Sequence, residues 1–562
     1  MQAERPGGGR RRIVIVGGVA AGASCAARAR RLCEECDIAL LDRGPYVSFA
    51  NCGLPYHVGG VIAEEETLLV ATPELFRDRF AIDVRTRHDV RAIDPAARTV
   101  EVHDLERDSV RTEPYDALVL ATGAAAIRPP LPGIDLPGIF VLRTIPDARQ
   151  IRAAVERASS AVVVGGGFIG LEMAENLVQR GLAVTVVELA AQVLPPLDPE
   201  MAGYVAERLR AHGVALRLGA GVEGFRPRDG GGLEVLAAGG EALPADVVIL
   251  AIGVRPETAL ARAAGLTLGE RGGIRVDDQM RTSDPHIWAV GDVVEVRDVV
   301  TGAWQLMPLA GPANRQGRIA AASILGRAAT ADGSTRFRGV QGTAVCGLFG
   351  LTVAMTGASE KSLARAGRDD FERVYLHPGS HVGYYPGATP IHMKVLFARR
   401  DGRILGAQAV GEAGVERRID VVAMAIQMGG TVYDLEEAEL CYAPQFGAAK
   451  DPVNLAGMVA ANHLRGDLPL AAWSELAGTT AQLVDVRRPA EYARGHVPGA
   501  INVPLERLRV ALDRLPRDRE LWLVCAVGQR AYYATRLLQH HGFRVRVLSG
   551  GMETHGAHAA SA

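Results

Sequence analysis

Short apolar runs that end on glycine set the pattern of this chain. Ile13 to Val16 runs into Gly17-Gly18-Val19-Ala20-Ala21-Gly22, and an Ala/Arg-rich stretch of helical period follows through Leu32. That order predicts a buried strand, a tight turn and a helix. A second run, Ile38 to Leu41, ends in Asp42, twenty residues after Gly22, where the ribose-binding acid of a dinucleotide site belongs. The same grammar returns downstream. Ala161 to Val164 leads into Gly165-Gly166-Gly167-Phe168-Ile169-Gly170, a helix runs to Arg180, and Val184 to Val187 ends in Glu188. One GxGxxG is weak evidence, because glycine turns also serve packing, and the first turn has Val19 where the middle glycine belongs, which would crowd a pyrophosphate; two such turns, each followed by its acid, predict two dinucleotide sites.

Three further segments fit this reading. Leu118 to Gly123, ending in Thr122-Gly123, and Val247 to Gly253 are strands running into glycine, suited to crossings between nucleotide domains. Trp288-Ala289-Val290-Gly291-Asp292 sets an aspartate beside a glycine, where it could hold the ribityl or phosphate end of a flavin. From about Phe337 the glycine turns give way to a mixed stretch with a strand at Ile391 to Phe397 and a helix near Ile419 to Met428. Leu464 to Ala472, with Gly466 and Pro469, reads as a linker. Beyond it Leu483 to Val486, Leu521 to Cys525 and Val545 to Leu548 are the strands of a small α/β unit. The expected fold class is therefore α/β, with two Rossmann-like dinucleotide-binding domains. The expected boundaries are 1–150 and 275–336 for the two parts of an FAD domain, 151–274 for an NAD(P)H domain, 337–465 for an α+β interface domain and 473–562 for the C-terminal unit.

Composition removes other classes. At 562 residues with 48% hydrophobic and 22% charged content, the chain is long enough for several cores and is neither disordered nor collagen-like. Sixty-two basic against 64 acidic residues leave a net charge of −2, so nucleic acid and anionic membranes are not expected partners. The apolar run after the basic start MQAERPGGGRRR is too short for a signal peptide, and no stretch reaches the ~20 apolar residues of a spanning helix. Seven cysteines are too few and too odd in number for a disulfide framework, so a reducing, cytoplasmic setting is expected.

Candidate chemistry centres on two cysteines. Cys52 sits in Ser48-Phe49-Ala50-Asn51-Cys52-Gly53-Leu54-Pro55-Tyr56, soon after the first acid, among residues that supply hydrogen bonds and close backbone approach. A lone cysteine is more often a structural one, but this setting argues for chemistry. Gly53 to His57 hold no second cysteine, so Cys52 must find its disulfide partner outside the chain or be oxidised to a sulfenic acid. Cys525-Ala526-Val527-Gly528-Gln529-Arg530 lies between an apolar strand and a helix at Ala531 to His540, a position that turns N–H groups toward an anion or thiolate. Gly528 and Arg530 suit a persulfide or thiosulfate pocket. Cys33-Glu34-Glu35-Cys36 is a CxxC, but no second CxxC or histidine pair accompanies it, and it is read as structural. Arg28, Arg30 and Arg31 would ordinarily be a solvated helix face, although arginine forks also suit phosphate oxygens.

Through SFANCGLPY, VVGGGFIGLEMAENL, WAVGDVVEV, YYPGATPIHMKV and CYAPQFGAAKDPVNLAG, the chain resembles the pyridine nucleotide-disulfide oxidoreductases, and within them the coenzyme A-disulfide reductases fused to a rhodanese domain. Asp485-Val486-Arg487, Glu491 and Gly495 to Asn502, together with the Cys525 loop, resemble an intact rhodanese domain. The resemblance implies a homodimer with FAD, NADH or NADPH, and coenzyme A as substrate and mixed-disulfide partner. It implies Cys52 as redox nucleophile, with Ser48 and Asn51 at the substrate and Ser24, Arg28 and Arg31 facing its phosphates. Tyr384 and Tyr442 would reach across the dimer, with Lys450 close to coenzyme A, and Cys525 with Arg530 would carry sulfur transfer. Gly17, Gly18, Ala20, Gly22, Asp42, Arg43, Thr122, Gly123, Gly291 and Asp292 would hold the flavin; Gly165, Gly167, Gly170, Glu188 and Gly253 would hold the nicotinamide nucleotide. Phe80 stands where a substrate-binding lysine can occur, with Arg77 and Arg79 near. Expected substrates are coenzyme A disulfide, coenzyme A persulfide, polysulfide and thiosulfate-type donors. The alternatives are an NADH oxidase or peroxidase working through a Cys52 sulfenic acid, and a rhodanese part that acts only as a sulfur-carrying interaction module. Glu188 without a nearby arginine clamp favours NADH, or dual use, over strict NADPH dependence.

Overall fold

The structure, a computed structural model, describes residues 10–327 and 335–561. The chain divides into two compact units. The first lies within Met1–Gly165, Asn176–Val184 and Val222–Val340; the second lies within Gly166–Glu175, Thr185–Gly221 and Gln341–Ala562.

In the first unit a five-stranded parallel sheet has the order Ile287–Ala289, Ala117–Leu120, Arg12–Val16, Asp37–Leu41, Asp83–Arg85. Ile13, Val14 and Ile15 are fully buried, as a short apolar run covered on both faces must be. The first strand leads into the helix Ala20–Leu32, which packs on the helix Ala310–Ile324. A Cβ on Gly317 would meet the Ala21 carbonyl at 2.3 Å, so glycine is what lets these two helices approach. A second parallel set in this unit joins Ser160–Val164, Val247–Leu250 and Ile139–Val141.

Three expectations are corrected within the units. Cys33 and Cys36 are joined by a disulfide. The helix ends at Leu32, Cys33 is extended, and the turn brings the two Cα atoms to 5.6 Å, within bridging reach. Arg30 is not on a solvated face: it is buried, donating to the carbonyls of Phe80 at 2.7 Å, Ala81 at 2.9 Å and Cys33 at 3.3 Å. The segment read as a linker is structured at both ends, since Leu464 closes the helix Pro452–Leu464 and Leu470–Ala471 is a strand paired with Val545–Leu548.

Among the described residues two sheets lie wholly within the second unit. One is antiparallel in the order Ala344–Leu348, Leu351–Gly357, Ile404–Gly411, Ile391–Ala398, Phe371–Leu376, with the helix Val415–Gln427 packed on it. The other is parallel in the order Leu470–Ala471, Val545–Leu548, Leu521–Val524, Gln482–Asp485, Ile501–Asn502. Lys394, on a central strand of the first sheet, is fully buried and meets Asp198 at 2.8 Å, Glu200 at 2.5 Å and Glu360 at 2.5 Å. The helix Gly551–Ser561 packs on Pro199–Ala211, and its Thr554 hydroxyl lies 2.8 Å from His377 Nε2, while His377 Nδ1 lies 2.9 Å from His392 Nδ1. Among the described residues no helix is long and apolar enough to cross a membrane.

Candidate functional site

The glycine turn after Arg12–Val16 opens a cavity of about 700 Å³ whose walls include Gly17, Val19, Ala20, Asp42 and Arg43 as well as Asn51, Cys52, Gly291 and Asp292. Gly17 has φ +100°, and a Cβ there would lie 2.1 Å from the Ala121 carbonyl, so only glycine makes this turn. The Asp42 carboxylate accepts from the amides of Gly18 and Gly44, each at 2.7 Å. Burial outweighs these bonds and raises its pKa above the ordinary aspartate value. Arg43 is taken by Glu257 at 2.7 Å, and the Thr122 hydroxyl donates to the Glu257 carbonyl at 2.8 Å. Gly123 also lines the cavity, and the Gly291 amide donates to Gln316 at 2.7 Å. Gly22 lies within the helix, where a Cβ would strike the Gly17 carbonyl.

Cys52 is exposed at this wall, in the turn Asn51–Gly53. Asn51 donates through Nδ2 to the Arg143 carbonyl at 2.9 Å, and its buried Oδ1 has no partner. Arg143 in turn pairs with Asp292 at 3.2 Å. Ser48 has φ +48°, a left-handed conformation uncommon outside glycine, with its amide donating to the Gly18 carbonyl at 2.8 Å. This bond ties the Cys52 segment to the glycine turn. Cys25 and Cys346 are different: burial pushes both thiols up to about 12, so neither offers a thiolate.

On the helix Ala20–Leu32, Ser24 donates to Asn314, while Arg28 is held below the usual arginine range first by burial and then by Arg318 and Arg31. An excess of positive charge therefore collects there, as an anionic ligand requires. The Phe80 side chain packs against the apolar core, where a lysine would offer a charge.

Of the second glycine turn, Gly165 belongs to the first unit and Gly166 to Gly170 to the second. In the first unit a Cβ on Gly165 would lie 2.3 Å from the Ala251 carbonyl, and Gly253 has φ +107°. In the second unit Gly166 donates to Glu188 at 2.6 Å, the Ala190 amide donates to the same carboxylate at 2.7 Å, and Gly167 faces open space. Gly170 is in the first turn of the helix Phe168–Gln179.

Elsewhere in the second unit the hydroxyls of Tyr384 and Tyr442 are 2.8 Å apart, both side chains exposed, and Lys450 is exposed a few residues on. The bond to Tyr384 raises the Tyr442 pKa. Cys525 is buried with its Sγ accepting from the amides of Gly528 at 3.2 Å and Ala531 at 3.4 Å, where Gly528 has φ +94° and the helix Gln529–His540 begins. Arg530 does not point free into that loop: it forms two 2.7 Å bonds with Glu491, which its guanidinium holds down at about 2. Asp485 is buried against Arg487 at 2.7 Å.

Sequence reasoning missed Glu257, Arg143 and Gln316, the partners of Arg43, Asn51 and Gly291. Glu257 follows the Gly253 motif by four residues and carried a positional signal; Arg143 and Gln316 had none.

Two glycine turns with their acids, a cavity that joins one of them to an exposed cysteine, and an N–H-lined second cysteine define a flavin- and nicotinamide-dependent oxidoreductase with a sulfurtransferase-type unit. Residues 11–317 match the pyridine nucleotide-disulphide oxidoreductase family, residues 343–451 its dimerisation domain and residues 469–557 the rhodanese-like domain. The chain belongs to the pyridine nucleotide-disulphide oxidoreductase family and is FAD-dependent, with NAD(P)H as its other cofactor. It is 33% identical over 441 residues to the coenzyme A disulfide reductase of Staphylococcus haemolyticus, covering 78% of this chain and 97% of that one. Among solved structures it is similar to reduced Bacillus anthracis CoADR-RHD, at 44% identity, 98% coverage of both chains and a TM-score of 0.94. It is also similar to an NAD-dependent persulfide reductase from A. fulgidus, at 38% identity, 97% and 99% coverage and a TM-score of 0.89.

Proposed function

We propose that the chain is an FAD-dependent NAD(P)H reductase of coenzyme A disulfide, and of coenzyme A persulfide or polysulfide, carrying a sulfurtransferase domain that works through Cys525. The observation that carries this reading is Cys52: exposed at the cavity wall, beside the unpartnered Asn51 Oδ1, with no second cysteine from Gly53 to His57. The donor set fits a flavin dinucleotide, with Asp42 for a ribose, the helix N-terminus at Ala20 for phosphate, and Asp292 and Arg143 at the other acid. When bound, the flavin supplies a two-electron link between the nicotinamide and sulfur.

The chain's own part is sulfur chemistry and binding. The Cys52 thiolate attacks one sulfur of the disulfide, the S–S bond breaks, and one coenzyme A leaves as thiolate while the other stays in a mixed disulfide. Two electrons then cleave that bond and return the Cys52 thiolate and the second coenzyme A. Arg28 and Arg31 hold the phosphates, with Ser24 beside them. Glu188 accepts from a ribose hydroxyl and disfavours a 2′-phosphate. In a homodimer, Tyr384, Tyr442 and Lys450 complete the partner's site, as the dimerisation-domain match supports. At the second centre the Gly528 and Ala531 amides donate to the Cys525 sulfur that carries the transferred sulfur, and Arg530 is available only when it leaves Glu491. Mass spectrometry of the oxidised holoenzyme tests the reading: a coenzyme A adduct on Cys52, lost on treatment with NADH, supports it. A Cys52 sulfenic acid with no adduct, and oxygen consumption in place of disulfide turnover, would replace it with the oxidase reading.

A further inference from the structure

The whole chain contains three lysines, Lys361, Lys394 and Lys450, against an arginine-rich remainder. Two of the three lie at one place in the second unit. Lys394 occupies the centre of the acidic cluster, and Arg373 also pairs with Glu360, so the three carboxylates Asp198, Glu200 and Glu360 already have partners. Lys361, on the helix Glu360–Arg365, spends its ammonium elsewhere: it donates to Gln192 Oε1 at 3.0 Å and to the Pro195 carbonyl at 2.7 Å. Both acceptors belong to the loop 189–198 that leaves Glu188.

That loop has no regular structure of its own to hold it. Gln192 Nε2 donates back to the Leu197 carbonyl at 3.0 Å, and the amide of Leu194, at φ +44°, donates to the Gly166 carbonyl at 2.8 Å. Gly166 is the residue whose amide bonds Glu188. At the far end Asp198 is fastened through its amide to Gln408 Oε1 at 2.8 Å and through its carboxylate to Lys394. Lys361 is therefore the tie in the middle of a strap that begins next to the ribose-binding candidate and whose turn touches the glycine loop.

We propose that Lys361 is a positioning residue of the nicotinamide-nucleotide site, holding the loop 189–198 so that Glu188 and the glycine turn present one geometry to the adenosine end of NADH. The proposal rests on the reading of Glu188 as the ribose-binding acid. The structure gives the loop no arginine between Leu189 and Gln192, so its fixed course, with an exposed Leu189, is what keeps a 2′-phosphate without a partner. A loosened loop loses affinity for NADH more than for NADPH.

The test uses the full-length FAD holoenzyme with Lys361→Met and Lys361→Arg, in anaerobic stopped-flow reduction of the flavin by NADH and by NADPH. The expected result for Lys361→Met is a dissociation constant for NADH raised about tenfold, as loss of a charge-assisted hydrogen bond and its ordering gives. The limiting rate of flavin reduction, the FAD content and the KM for coenzyme A disulfide stay within about twofold, a split that a general loss of folding would not produce. The NADH-over-NADPH preference narrows, and Lys361→Arg, which keeps a donor, recovers most of the affinity. An NADH dissociation constant within twofold of wild type in Lys361→Met overturns the proposal, as does a parallel loss of FAD and of every rate. If Lys361→Met does not fold, Gln192→Met removes one of the two Lys361 acceptors together with the loop's own bond to the Leu197 carbonyl, and an unchanged NADH affinity there overturns it equally. A wild-type enzyme whose flavin neither nucleotide reduces would instead sink the nicotinamide-site reading itself.

Discussion

Lys394→Met should destabilise the protein strongly at neutral pH and much less in mild acid. In the native chain burial works to raise the Glu200 carboxyl and to lower the Lys394 ammonium, but each charge overrides burial of the other: Glu200 shifts down and Lys394 shifts well up. Methionine fills similar volume without charge, leaving Asp198 and Glu200 buried against Tyr375, Gln408 and an apolar stem. Leaving a buried charge uncompensated costs about 3–5 kcal/mol. For units of this size roughly 2–4 °C of melting temperature follows each kcal/mol, so a fall of about 6–20 °C is expected at pH 7. The pH dependence then inverts. In wild type the depressed Glu200 contributes stability that is present above its unfolded value of 4.5 and is lost as pH falls through the lower folded value. In the variant, burial without the lysine raises the folded carboxyl above 4.5, the native state binds the extra proton, and stability is recovered as pH falls toward that raised value. Thermal unfolding followed by circular dichroism at pH 7 and pH 5.5, on FAD-loaded protein, reads both. A shift under about 2 °C at pH 7, or equal pH slopes in the two proteins, would refute the account of this cluster as mutually compensated charge.

Cys52→Ser should retain FAD and let NADH bleach the flavin, yet lose coenzyme A-disulfide turnover; turnover near the wild-type rate would show that the nucleophile lies elsewhere. Alkylation without reductant followed by trypsin should leave the peptide of residues 32–43 unalkylated at Cys33 and Cys36, and alkylated only after reduction; two alkylated cysteines from the native, unreduced protein would contradict the disulfide. Burial holds His377 at about 3 and His392 at about 4, against 6.5 unfolded. The unfolded chain therefore binds more protons below about pH 6.5, and the protection factors of amides in the helix Gly551–Ser561, taken relative to the intrinsic exchange rate at each pH, should fall from pH 7 to pH 5, an effect that His377→Gln with His392→Gln should flatten. Cys525→Ala should leave coenzyme A-disulfide reduction intact while slowing sulfide release from polysulfide or thiosulfate-type donors; equal sulfide rates would make the two centres independent enzymes.

What the sequence made legible is what local chain chemistry dictates. A glycine at φ +100° after a buried strand, or an acid at the end of the next strand, is set by residues within one βαβ unit, so Gly17, Asp42, Gly165 and Glu188 could be read directly. The Cys525 loop was legible for the same reason, its amides and its glycine lying within six residues of the thiol. The residues that escaped are those whose role depends on a partner far along the chain. Arg143 reaches both Asn51 and Asp292, 92 and 149 residues away, and Gln316 meets Gly291 through helix packing that no period encodes. Arg30 shows the reverse error. As one of three arginines on a helix it read as solvated, but the helix turns it onto Phe80 and Ala81, whose carbonyls need donors at the end of their own helix. Its neighbours Arg28 and Arg31 do not share that contact. Composition misled on Cys33 and Cys36 because an odd, sparse cysteine count bears on a framework of bridges and not on two thiols that a helix end brings within 5.6 Å. Distance along the chain, more than residue type, divided the legible part of this molecule from the rest, and Lys361 is the case where it matters most. A lysine about 170 residues past Glu188 could be joined to that carboxylate only by seeing the loop between them, and it is on that loop that the positioning role we propose for Lys361 rests.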